Sequence, residues 1–106
     1  MEDSEHLVVL TTCPDQKSAL ALADELLQKR LIACSNISGE MLSAYRWKGE
    51  THTDPEVQLT LKTHRRRFAD VETAIRASHP YELPEILALP VTGNSDYLRW
   101  IDECVL

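Results

Sequence analysis

Between Glu56 and Lys62 polar and apolar residues alternate without a break: Glu56, Gln58, Thr60 and Lys62 interleave with Val57, Leu59 and Leu61. A period of two sends each set to its own face of an extended chain, so the segment specifies a half-buried antiparallel strand. Just upstream, Ile37 to Trp47 has a strand-like pattern with Gly39 inside it as a bulge or bend, and Lys48-Gly49-Glu50 is a turn signal. The two runs are predicted to form one long hairpin.

On either side of this hairpin the period changes to that of a helix. Leu7-Val8-Val9-Leu10 reads as a strand buried on both faces. Pro14 suits a helix start, Asp15 adds a favourable charge there, and Ala19, Leu22, Ala23 and Leu26 follow at helical spacing up to Lys29 and Arg30. Leu31 to Cys34 is a short apolar run that reads as strand. From His64 to Ser78, Phe68, Val71 and Ile75 form one stripe, and Pro80 stops that helix. Ile86 to Val91, bracketed by Pro84 and Pro90, is a last strand. Gly93-Asn94-Ser95 offers a cap for a final helix carrying Tyr97, Leu98, Ile101 and Val105. The order β-α-β-β-α-β plus a C-terminal helix predicts an α+β, ferredoxin-like antiparallel sheet with two helices on one face. One domain is expected over residues 1–106, with residues 1–5 lacking order.

That arrangement leaves the second sheet face without a helix, while the hairpin carries Tyr45 and Trp47 near its tip. Open strand edges with exposed aromatics make an association surface, so a homo-oligomer is expected, with Tyr45 and Trp47 at the interface. Charge narrows the partners. With 11 Lys and Arg against 17 Asp and Glu, the net charge is −6, which argues against a general nucleic-acid binder. No apolar run approaches the roughly 20 residues that span a bilayer, so no membrane partner is expected. The acidic start, Met1 to Glu5, does not read as a secretory signal, and the cytoplasm is the expected compartment.

The three cysteines are too few and too scattered for a disulfide framework or a preformed zinc site. Cys34 and Cys104 follow apolar runs and read as core fillers. Cys13 lies at a helix N-terminus that could lower its thiol pKa; it is either a reactive thiol or a small half-buried residue. His79 stands at a helix end before Pro80 and is either a ligand for a borderline metal or a capping histidine. Glu56 and Lys62 share strand parity and, with Tyr81, Glu82 and Glu85, form a polar set. These residues either line an intersubunit cleft for a small ligand or ion, or make interface salt bridges. His64-Arg65-Arg66-Arg67 opposes the dipole of the helix it starts and reads as a solvated face. His6 and His52 read as exposed loop histidines.

The segments Thr12-Cys13-Pro14, Arg30 to Cys34, Tyr45-Arg46-Trp47-Lys48-Gly49-Glu50, Leu61-Lys62-Thr63, His79-Pro80-Tyr81-Glu82-Leu83-Pro84-Glu85-Ile86, Leu89-Pro90-Val91 and Tyr97-Leu98-Arg99-Trp100 occur in this order. Together, from about Val8 to Trp100, they resemble the CutA divalent-cation tolerance family. The resemblance implies a ferredoxin-like homotrimer without enzymatic activity, linked to tolerance of copper and other divalent cations, with Cu(II) bound by some members. It also implies a build similar to the PII signalling proteins, hence an alternative role as a signalling or scaffolding trimer with a small ligand in intersubunit clefts. The metal reading places His79 first and Cys13 as helper. Two positions depart from the pattern of metal-binding relatives. Ser78 stands where some have a second histidine, and Thr11 where some have a cysteine.

Overall fold

The structure is a computed structural model that describes residues 5–106. The expected lack of order at residues 1–4 lies outside the described residues; the Glu5 carbonyl accepts a hydrogen bond from the Arg65 N–H at 2.6 Å. Strand β1 (His6–Cys13) buries Leu7, Val9, Thr11 and Cys13 and leaves His6, Val8 and Leu10 partly open. It is therefore half-buried, not buried on both faces, because the two long helices cover one side only.

Helix α1 (Gln16–Gln28) starts two residues later than Pro14 would place it. Asp15 is the N-cap, its carboxylate accepting the Ser18 N–H at 2.8 Å, and this bond satisfies a donor that proline merely lacks. At the other end Leu31 N–H reaches Leu26 O and Arg30 N–H reaches Leu27 O, both at 3.0 Å. That is a Schellman closure with Arg30 at φ 55° where glycine is usual. The chain then turns with Leu31 and Ile32 buried; Ala33 N–H already donates to Lys62 O at 2.8 Å, but the strand itself begins at Cys34, so Leu31 to Ala33 is a connection.

Strands β2 (Cys34–Ile37) and β3 (Met41–Trp47) both pair antiparallel with β4 (Glu50–His64). The expected continuous run from Ile37 is broken at Ser38-Gly39-Glu40. Ser38 bridges the break, its N–H donating to Gln58 O at 2.9 Å and its Oγ accepting from Gln58 N–H at 2.7 Å. The tip is a two-residue turn in which Lys48 and Gly49 both have positive φ, 51° and 84°, the type I′ geometry that matches strand twist.

After β4 a 3₁₀ turn, Arg65–Arg67, leads into α2 (Phe68–Ser78), with His64 as its cap residue. Strand β5 (Leu87–Val91) and helix α3 (Ser95–Cys104) complete the chain. The order across the sheet is β2-β4-β1-β5, all neighbours antiparallel, with β3 extending β4 beyond the end of β1. Pro90 is tolerated because β5 is an edge strand.

Helices α1 and α2 bury Leu22, Leu26, Val71 and Ile75 against Val9, Val57, Leu59 and Leu61. Helix α3 belongs to the other face. Tyr97 meets Lys62, and Asp102 meets His6, both residues whose strand neighbours Leu61 and Leu7 point to the core. The second face is thus partly covered, contrary to expectation. Two arginines hold α3 there by its C-terminal carbonyls, where a cation suits the dipole. Arg30 donates to Cys104 O and Glu103 O at 3.1 Å, and Arg66 to Leu106 O at 3.1 Å and to Asp102 O and Val105 O at 3.3 Å. Arg65 and Arg66 are exposed, as a solvated face requires, and Arg66 is a clamp as well.

Candidate functional site

Cys13 ends β1 and His79 caps the end of α2, and the fold brings them together. Pro80 forces His79 out of the helical region, to φ −79° and ψ 138°, so its ring turns back toward the sheet. The ring is held at both nitrogens. Nδ1 accepts the Tyr81 N–H at 3.1 Å, and Nε2 lies 2.6 Å from Thr12 O, which fits the Nε2–H tautomer donating to that carbonyl. Cys13 Sγ lies 3.9 Å from the same Nε2. A cavity of about 280 Å³ opens beside the pair, lined also by Ser18, Glu25, Ser78 and Pro80. Ser78 donates to Glu25 at 2.7 Å, so the position where some relatives carry histidine is tied into a helix–helix hydrogen bond.

Burial pushes the Cys13 thiol up, and the negative charges of Asp15 and Glu56 add to it against a lowering bond from Ser18. The expected activation by the helix N-terminus does not prevail, because Cys13 is 1% exposed and its desolvation dominates. Among the described residues no three His, Cys, Asp or Glu side chains gather as a metal-holding group. The Cys13–His79 pair offers one sulfur and one nitrogen. That is the right chemistry for a borderline ion but half of a tetrahedral set.

A second group forms between the β3–β4 hairpin and residues 80–85. Tyr81 OH donates to Glu56 Oε2 at 2.7 Å. Burial raises the Tyr81 phenol well above its usual range, and Glu56 raises it further. Burial and the Glu56 charge also push the Glu85 carboxyl up. Tyr45 OH makes a short bond to Asp54, and its ring stacks on His52 at 5.4 Å. Tyr45, Trp47, Asp54, Glu56, Tyr81 and Glu85 line a groove of about 1010 Å³. Lys62 does not join them. Six residues from Glu56 is about 20 Å along a strand, and its ammonium instead meets Tyr97 OH at 3.2 Å and lies over that ring.

The remaining readings divide. Cys34 and Cys104 are partly exposed and not core fillers, and all three cysteines are free. His6 is not a loop residue: it opens β1, is 12% exposed, and lies 2.9 Å from Asp102. His52 lies on β4. The two arginine clamps and the His64 cap went unread in the sequence. The carbonyls that the two arginines meet lie 36 to 74 residues away, whereas the His64 cap is local, its partner being the Arg66 N–H two residues on. No helix among the described residues is long and apolar enough to cross a membrane.

A family model described as CutA1 divalent ion tolerance protein matches residues 7–104. The chain belongs to the CutA1 family. It is 43% identical over 97 residues to the divalent-cation tolerance protein CutA of Thermus thermophilus, covering 91% of this chain and 94% of that protein. It is 41% identical over 93 residues to human Protein CutA, covering 87% of this chain but 52% of the human protein, so it spans about half that relative's length. The crystal structure of CutA from Xylella fastidiosa superposes with a TM-score of 0.93 at 38% identity, over 96% of this chain and 99% of the other. Against this CutA1 background, the N/S pair and the carboxylate–tyrosine groove both have chemistry to offer.

Proposed function

We propose that this chain is a non-enzymatic, cytoplasmic protein of metal homeostasis that binds Cu(II) or a related divalent ion as a homotrimer. Family membership supports the metal-related role. The strand order β2-β4-β1-β5, with α1 and α2 on one face, supports the ferredoxin-like description of the fold. The observation that carries the metal reading is the 3.9 Å approach of Cys13 Sγ to His79 Nε2. These two atoms would hold the ion, and the remaining positions fall to water or a neighbouring subunit. Both donors resist. Nε2 must give up its bond to Thr12 O, and the buried thiol must lose its proton. Binding is therefore weak and releases protons, so affinity rises with pH. Titrating Cu(II) into the full protein at about pH 6 and pH 8 should show tighter binding at the higher value, with His79→Ala weakening it about tenfold or more. Equal affinity for wild type and His79→Ala removes His79 as the ligand.

A second reading rests on the groove. The hydrogen-bonded Glu56–Tyr81 pair and Glu85 line one groove beside aromatic walls, which supports a small-molecule cleft in a PII-like signalling trimer. In that case Tyr81→Phe matters more than His79→Ala, and a metabolite raises the melting temperature where metals do not.

A further inference from the structure

Four elements meet at the end of β4. His64 is the cap residue of the 3₁₀ turn that starts α2, and its Nδ1 accepts the Arg66 N–H at 3.0 Å. The side chain of the same Arg66 holds Asp102 O, Val105 O and Leu106 O at the end of α3. His64 thus fixes the backbone of the residue that docks the C-terminal helix. Its side chain is 13% exposed, and its Nε2 lies 3.8 Å from Glu5 Oε2. Its ring meets the edge of His6 at 5.4 Å between centroids, and His6 in turn reaches Asp102 of α3 at 2.9 Å.

We propose that His64 is an acid-sensitive cap whose protonation at Nδ1 releases the Arg66 N–H and so loosens the docking of α3 on the sheet. The chemistry is one of donors and acceptors. Neutral imidazole has one lone pair for hydrogen bonding, and here Nδ1 spends it on Arg66. The second proton can add only at that nitrogen. Imidazolium would then set N–H against N–H, and the cap is lost.

The surrounding charges oppose one another. The Glu5 and Asp102 carboxylates favour the charged ring, and Arg66 and His6 oppose it, with Arg65 next in the chain. Burial tips the balance and lowers the His64 pKa from its ordinary 6.5, with the Arg66 charge next. The unfolded chain therefore takes up this proton first. The stabilisation is complete above about pH 6.5 and is lost as pH falls through the lowered folded value.

Amide hydrogen exchange on the full chain tests this, with rates corrected for intrinsic pH dependence. Between about pH 7.5 and pH 5, protection of the Arg66 amide should fall about tenfold or more. The Val105 and Leu106 amides, bonded to Ile101 O and Arg30 O, should lose protection with it, while central amides of β1 and β4 keep theirs. His64→Asn supplies a cap acceptor that does not titrate, and its exchange at these three amides should be flat over the same range. The proposal is overturned if His64→Asn keeps the wild-type pH slope, or if Arg66 opens without Val105 and Leu106. Should the variant not fold, ring ¹⁵N shifts of the wild type decide. Loosening while Nδ1 remains unprotonated also overturns it.

Discussion

Thr11 and Thr63 are chemically the same residue at inward positions of neighbouring strands, both fully buried. Their hydroxyls differ in fate. Thr63 Oγ1 donates to Leu31 O at 2.7 Å, whereas Thr11 Oγ1 has no hydrogen-bond partner among the described residues. A buried unpaired hydroxyl costs about 1–3 kcal/mol. Thr11→Val, nearly equal in volume, should therefore stabilise the fold by about 1 kcal/mol, whereas Thr63→Val should destabilise it by a similar amount. Urea unfolding of both variants checks the opposite signs. Strand parity in the structure turns both side chains inward, but only the connection at Leu31 gives one of them an acceptor. The same holds for His79. Its place before Pro80 was legible, but both of its nitrogens are engaged by Thr12 and Tyr81, and that followed from the fold.

At the level of elements, the hairpin tip was the most legible. Lys48-Gly49 between paired Trp47 and Glu50 is a two-residue turn requiring positive φ at both positions. A Cβ on Gly49 would meet nothing within 4 Å, so the cost of Gly49→Ala is backbone strain alone. It should destabilise the protein by about 1 kcal/mol and shift the denaturation midpoint without changing the slope. Arg30 shows the reverse. Glycine would sit more easily at φ 55°, yet only arginine also reaches the carbonyls of α3. Local propensity and long-range capping conflict there, and the sequence window around Arg30 contains only the first.

Across the whole molecule, the face beside α3 bears Val8 and Leu10, paired with the exposed Leu89 (46%) and Leu87 (57%) of edge strand β5. An apolar strip of this kind, together with open edges at β2 and β5, supports self-association. Sedimentation velocity should find the wild type as a trimer down to about micromolar concentration, and Leu89→Asp should shift it to monomer. The alternation of helix and strand, the buried faces of α1, α2 and the inner part of β4, the turn and the family resemblance were determined by the sequence alone. Period and turn chemistry act over a few residues and leave their mark on them. The tertiary structure alone decided which hydroxyl is paired, where α3 docks, that Lys62 stands apart from Glu56 and Tyr81, and that Cys13 and His79 touch. Each of these depends on contacts between residues far apart in the chain, which hydrophobic patterning brings together without naming.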